Sequence, residues 1–410
     1  MEPEPAIPFP EGVAKIVRLE ALRESDFWHR AFANQSKDHR YYELINRTLA
    51  GQFEHYCAVL EDRAGSVRAV QPIFLVRQNL VEGVPGKIRN IVDFIRKKFP
   101  RFLTMRVLMI GCAAGEGQLG AIDPSDEPWL AKALAPVLRS FAKQQKASLI
   151  VWKDFPAKYR PAMATLTENN YVRVPSMPMT RLRIDYKSFD DYLGQIGYAS
   201  RKSLRRKFRK TERAAKIEME VVTDIAPWID EIYPLYLQVH ERSPMKFEVL
   251  TREFFIEIGR VMPDRARFFI WRRSGKIIAF SLGLVSGDTI HDECLGLDYE
   301  VAFELYLYFY TLRDVINWAM TQGLRAYSSG PLNYDPKLHL GHELAPLDLY
   351  VMHTKPVLNP IFQFAVKYLE PTRHDPVSKK FPNADQLSIF GWQGPSRTGI
   401  KRLALQLRSR

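Results

Sequence analysis

The sequence predicts an α/β (α+β) chain of two domains followed by a tail, and three observations lead there. At 410 residues the chain is longer than one hydrophobic core usually serves, since single cores stop growing near ~250–300 residues. Strand-like and helix-like runs alternate along its length. The order of these elements in the first half then recurs in the second, without a residue-level repeat. The resulting division is a first domain over 1–184, a second over 185–370 and a basic, proline-containing tail over 371–410.

Composition narrows the class. Apolar residues make up 46% and charged residues 26%, a globular profile. The most apolar stretch, FELYLYFYTLRDVINWAM, carries Glu304, Arg313 and Asp314, so no bilayer-spanning helix is predicted. The start, MEPEPAIPFPEGVAKIV, is acidic and broken by prolines, unlike a secretory signal. The expected address is the cytoplasm, with peripheral contact at the inner face of the membrane as a variant. Cys57, Cys112 and Cys294 form no CxxC pair, which argues against a disulfide framework and a zinc site, and no metal is expected. The net charge of +13 favours an anionic partner: RNA, a phosphorylated cofactor or an acidic membrane surface.

In chain order, HYCAVLED and SVRAVQPIFLVRQNLV read as strands. KIRNIVDFIRKKF places Ile88, Ile91, Val92, Ile95 and Phe99 on one face of a helix with a basic back. The strand TMRVLMIG, a helix from about Glu127 to Lys146, the strand ASLIVW, a helix over Ala157 to Asn169 and the strand MTRLRI follow. A short helix, SFDDYLGQI, leads into the basic helix SRKSLRRKFRKTERAAK at the domain junction. The second half reads as strand IEMEVV, a helix from Pro227 to His240, the helix LTREFFIEIGRVM and a meander, RFFIWRR, KIIAFSLGLV and TIHDECLGLD. A long helix from about Glu304 to Gln322 stops at Gly323, and AYSSGP, a loop NYDPKLHLG and a last strand LDLYVMH complete it. The end, KRLALQLRSR, reads as a loosely packed basic arm.

The stretch VLMIGCAAGEGQLG, Val107 to Gly120, resembles in outline a loop that cradles a dinucleotide or S-adenosylmethionine. Such a loop presents backbone N–H groups at a helix start. Here Ala113 stands where the middle glycine belongs, Met109 where an acid would precede the loop, and the next helix begins only near Asp126. The ribose-binding acid should close a strand about 20 residues on, yet the next strand ends at Asp154. A glycine-rich turn leaving a strand is the preferred reading.

Three other stretches hold candidate chemistry. The basic helix carries Arg201 and Arg205 among its charges and reads as a solvated face or a phosphate-contacting element; without interleaved aromatic residues it does not read as sequence-specific, and no DNA partner is expected. KIIAFSLGLV is apolar on both faces and so central. In its neighbour TIHDECLGLD, alternation puts His291 and Glu293 on one face and Asp292, Cys294 and Asp298 on the other. A carboxylate or imidazole beside a central strand is the right group to take a proton from an attacking amine. SSGPLNYDPKLHLG offers Tyr334, Asp335 and Lys337, a lysine able to hold a phosphate or a developing oxyanion.

The runs REFFIEIG, RFFIWRRSGKIIAFSLGLVSGDTIHDECLGLD, FELYLYFYTLRDVINWAMTQGL and NYDPKLHLG, with SRKSLRRKFRK before them, resemble the second domain of the Fem-like (FemAB-like) branch of the GNAT acyltransferase superfamily over about Ser188 to Met352. The resemblance implies two tandem GNAT-like domains, each a mixed, mainly antiparallel sheet flanked by helices. It also implies transfer of an acyl or aminoacyl group to an amine, from acyl-CoA or aminoacyl-tRNA, to a small-molecule or lipid-linked acceptor. By position it places Lys337 at the lysine near the end of the family's second domain and Arg242 at an arginine before the REFF-like helix. One departure stands out: the glycine-containing pyrophosphate loop of acetyl-CoA-dependent members is missing from DYEVAFELYLYF. The resulting expectation is an acyltransferase with Glu293 or His291 as base and Lys337 at the oxyanion. Substrate or phosphate contacts are expected from Arg242, Arg201, Arg205, Tyr334, Asp335 and Asp298. The alternatives are a non-catalytic protein at an anionic membrane or RNA surface, and a methyltransferase.

Overall fold

The computed structural model describes residues 6–79, 94–95, 98, 104–366 and 370–387. The expected helix in KIRNIVDFIRKKF, apart from Phe94, Ile95 and Lys98, and the basic end KRLALQLRSR lie outside the described residues.

Two mixed sheets flanked by helices carry the chain. The first contains β1 (Ala6–Phe9), β2 (Gly12–Val17), β3 (Glu54–Asp62), β4 (Val67–Asn79), β5 (Thr104–Ile110), β6 (Leu149–Pro156) and β7 (Val172–Pro175). The second contains β8 (Met179–Arg183), β9 (Ile217–Val222), β10 (Ala266–Arg273), β11 (Lys276–Ser286), β12 (Thr289–Leu297), β13 (Ala326–Ser329) and β14 (Glu343–Ala345). The last strand, β15 (Leu347–His353), returns to the first sheet between β6 and β7. In each sheet an antiparallel meander gives way to one parallel pair, β5 with β6 and β12 with β13. A helix connects each pair, Glu127–Gln144 in the first half and Leu307–Thr321 in the second. Parallel neighbours need such a crossover, and the apolar faces Leu130, Leu134, Leu138 and Leu312, Val315, Ile316 bury each helix on its sheet.

The halves exchange strands across the expected 184/185 division. β8, placed by sequence in the first domain, pairs with β13 and β14 in the second sheet. β15, placed in the second, pairs with β6 and β7 in the first. The buried Asp348 fixes that return, with Arg160 at 2.6 Å and Arg173 at 2.9 Å on its carboxylate. Alternation along a strand reveals its faces but not its sheet, so both strands were legible and their partners were not.

Smaller differences have local causes. The expected helix over Ala157 to Asn169 is a 3-10 turn, Ala157–Tyr159, and a helix Ala164–Glu168, with Pro161 between them. NYDPKLHLG, expected as a loop, contains the helix Tyr334–His339. The helices Asp26–Phe32 and His39–Thr48 cover the first half on the side that faces the second. One apolar core joins the halves, where Tyr41 meets Phe254 and Phe53 stacks on Phe247 at 5.5 Å. Among the described residues no helix is long and apolar enough to cross a membrane.

Residues 1–184 expressed alone lack β15 and leave Arg160 and Arg173 without Asp348. Circular dichroism of that fragment is expected to show no cooperative thermal transition, and a sharp transition would count against the exchange as a folding requirement.

Candidate functional site

The parallel pair of each half sets up a gap, and the halves treat it differently. β5 and β6 pair from Val107 with Leu149 to Ile110 with Trp152. The glycine-rich stretch then folds back between them: Gly117 N–H donates to Asp154 O and Lys153 Nζ to Gly115 O, both at 3.0 Å. Gly111 and Gly120 spend their N–H groups on Pro72 O and the Gln71 side chain. A Cβ on Gly117 would stand 2.6 Å from Lys153 O and from the Phe155 ring. The glycines permit close packing, so the loop fills the gap and leaves no cradle for a nucleoside. This supports the turn reading of Val107–Gly120 over the methyltransferase alternative.

In the second half pairing between β12 and β13 ends at Asp292 with Ser329, and the gap is an open cavity of about 340 Å³. Polar lining includes Ser281, Asp292, Glu293, Ser329 and Lys337, with Arg242 and Glu248 among further charged groups; apolar lining includes Val239, Leu250, Leu295, Leu312 and Val315. A bulge decides which groups reach it. Leu282 pairs with Cys294 and Gly283 with Asp292, so Glu293 has no partner on β11. An extra residue of this kind breaks the two-residue alternation. Asp292, Glu293 and Cys294 all line the cavity, and His291 does not.

Lys337 is buried in the helix Tyr334–His339, and its Nζ donates to Gly330 O at 2.6 Å and Leu332 O at 2.9 Å. Leu332 and Asn333 both have positive φ, +70° and +48°. Two successive left-handed residues outside glycine are costly and concentrate at functional sites. An ammonium has three donors, so one remains for the cavity. Burial pushes the Lys337 pKa down to about 7, against the opposing charge of Asp292. Asp292 itself accepts from the Ser281 and Tyr327 hydroxyls, and burial pushes its carboxyl up.

Sequence reasoning did not find Lys37 and Glu116. Lys37 is fully buried, with Nζ at 2.7 Å from Glu116 Oε2 and 2.7 Å from Glu293 Oε1. Burial, reinforced by the charge of Glu116, pushes Glu293 up to about 7 although Lys37 opposes it. Burial would also raise Glu116, yet the Lys37 cation pulls it down to about 2. His291 faces this cluster; burial and the Lys37 cation push its imidazole down to about 4, which leaves it neutral at pH 7. Nothing in NQSKDHR marks Lys37, because its partners are 79 and 256 residues away.

The other expected residues fall in different places. Arg242 lines the cavity, its guanidinium 4.1 Å over the Tyr299 ring. Arg201 donates to Gly194 O and Arg205 lies 3.7 Å from Asp190; both belong to the basic face of the helix Tyr198–Ala214, outside the cavity. Tyr334 is buried with its hydroxyl on Pro178 O, and Asp335 is exposed beside His339. Asp298 is buried, 2.8 Å from Lys276 Nζ, and accepts the Glu300 N–H. Its backbone carbonyl takes the Val301 and Ala302 N–H groups, Val301 O takes Leu305, and Ala302 O takes Leu307. A diphosphate cradle requires unspent N–H groups; here those of Glu300, Val301 and Ala302 are spent on Asp298 itself, beside an acidic side chain that would repel phosphate. Asp298 is thus a turn anchor, in line with the missing glycine loop. Among the described residues His29, His39 and Glu43 place three ligand atoms within 4.8 Å of one another. His29 Nε2 meets Arg23 O and Glu43 accepts from Trp28, so both are engaged in protein contacts.

Residues 199–338 match the model of the acetyltransferase (GNAT) domain. The whole chain is built of two mixed sheets flanked by helices. It resembles the crystal structure of FemX with TM-score 0.51 at 11% identity, over 81% of this chain and 97% of that one. A tandem GNAT protein from the clavulanic acid biosynthesis pathway aligns with TM-score 0.48 at 12% identity, over 84% and 99%. A Mycobacterium tuberculosis protein provisionally named 8-amino-7-oxononanoate synthase 2 is 24% identical over 271 residues, 64% of this chain. The chain spans about one third of the length of the curated relatives it matches.

Overpacking a tight site costs roughly 1–3 kcal/mol. Gly117→Ala is expected to lower the urea midpoint accordingly, whereas a neutral result would mean the loop is not a packed plug.

Proposed function

We propose that the chain is an N-acyltransferase whose reaction takes place in the cavity of the second GNAT domain. The observation that carries this reading is the convergence of Glu293, Lys337 and Asp292 on one cavity at the parting of β12 and β13. The amine nitrogen attacks the carbonyl carbon of an acyl thioester; the N–C bond forms, the C–S bond breaks, and the thiol leaves. Glu293 takes the proton of the attacking amine. The free N–H of Lys337 stabilises the oxyanion of the tetrahedral intermediate. Arg242, exposed at the cavity, meets an anionic group of donor or acceptor.

Val239, Leu312 and Val315 among the lining residues give an acyl chain a surface to lie along, with acyl-CoA as its carrier. The acceptor is a small-molecule or lipid-linked amine. The runs from REFFIEIG to NYDPKLHLG support a place in the Fem-like branch. One observation favours aminoacyl-tRNA as the donor instead: Arg201, Lys202, Arg205, Arg206, Arg209 and Lys210 share one face of the basic helix. A tRNA-linked donor would bind more weakly as salt rises, roughly in proportion to the phosphates contacted.

Release of thiol from acyl-CoAs of graded chain length, in the presence of primary amines, tests the reading. Glu293 must be ionised, which holds above about 7, and Lys337 charged, which holds below about 7. The rate profile is therefore expected to be a narrow bell centred near pH 7, about tenfold down per pH unit well beyond either side. Glu293→Gln is expected to lower turnover by roughly 10²–10⁴-fold. Lys337→Met is expected to lower it by roughly 10²–10³-fold together with a loss of stability, because Gly330 O and Leu332 O lose their buried donor. Normal turnover in both variants would remove the assignment.

A further inference from the structure

The cluster of Lys37, Glu116 and Glu293 has a composition that simple packing does not require. One cation sits between two carboxylates at equal distances of 2.7 Å, and it is contributed by the other half of the molecule. Its seat is built. The segment carrying it is clamped onto the second half: Arg265 Nη1 donates to Ser36 O at 3.0 Å, Arg265 pairs with Asp38 at 3.2 Å, and Arg40 bridges Asp38 and Asp264 at 2.8 Å each. Gly115 makes room for the stem, since a Cβ there would stand 2.7 Å from Lys37 Cε at a φ of +129°. Glu116 follows directly, so the glycine-rich loop supplies both the space for the lysine and its second carboxylate.

We propose that Lys37 and Glu116 are positioning residues of the reaction, through which the first half, whose own gap is closed, sets the position and charge of Glu293 in the cavity of the second. The proposal rests on the reading of that cavity as the reaction site. Lys37 holds the Glu293 carboxylate and favours its ionised form; Glu116 competes for the same cation and disfavours it. The titratable and charged groups around Glu293 are Lys37, Glu116 and Tyr41 from the first half and Asp292 and Cys294 beside it; Cys112 of the first half and His291 and Glu248 of the second face Lys37. A buried carboxylate that loses its only cation takes up a proton more readily, and one that no longer shares it takes up a proton less readily.

Infrared difference titration of the full chain tests this without a substrate, with the Glu293 carboxyl band assigned by its loss in Glu293→Gln. Lys37→Met is expected to move the Glu293 midpoint up by at least one pH unit, and Glu116→Gln to move it down by at least one. Opposite shifts from two neighbouring substitutions are a signature that general loosening of the structure does not produce. If Lys37→Met does not fold, Glu116→Gln decides alone. A midpoint in Glu116→Gln at or above that of the unaltered protein overturns the proposal, as does a common direction in both variants. That outcome leaves the acyl-transfer reading standing, and absence of thiol release leaves this titration valid.

Discussion

Two parallel strands that stop pairing part-way along leave a wedge between them, and an interior wedge must be filled by protein or by something else. The close packing of protein interiors makes an empty one costly. Both halves of the chain meet this constraint, because both close their meander with a parallel pair. In the first half the wedge is filled by a loop whose glycines let backbone lie on backbone. In the second the wedge stays open, and the backbone around it is irregular: a bulge at Glu293 and two left-handed residues at Leu332 and Asn333. The filled wedge has a left-handed residue of its own, Asp154, whose carbonyl accepts the Gly117 N–H.

The asymmetry gives the halves different tasks. The first half is filled where the second is hollow, and the shared apolar core holds the two together. Strand exchange adds to this, since neither sheet is complete without a strand from across the division. A charge delivered from the first half to the wall of the cavity is then fixed in place by the fold as a whole. This matters because a reactive group is useful only when held to a fraction of an ångström by its surroundings.

Much of this was legible in the sequence, for reasons that differ by element. KIIAFSLGLV reads as a central strand because it is apolar on both faces, and β11 is central. The departure of Val107–Gly120 from a cofactor loop was visible in Ala113 and in the late helix start; what the loop does instead depends on contacts with Val70, Lys153 and Phe155 that no local pattern encodes. Lys337, Glu293 and Arg242 were singled out, and all three line one cavity. Tyr334, Asp335 and Asp298 were drawn in by proximity in sequence and turned away by the chain: Tyr334 under Phe381, Asp298 into its own turn. His291 and Glu293 both turn toward Lys37, as alternation has it, and the bulge that also brings Glu293 to the cavity leaves no trace in alternation. Lys37 was missed because a buried lysine is recognisable only by its partners.

On the proposed reaction the acyl group enters the parting of β12 and β13. A crystal structure of the protein with a non-cleavable thioether analogue of an acyl-CoA tests it most directly. The account predicts the carbonyl-equivalent carbon between Glu293 and Lys337, with the chain along Val239, Leu312 and Val315. An analogue bound instead at Gly111 to Gly117, or a cavity left unoccupied while the analogue binds elsewhere, would contradict it.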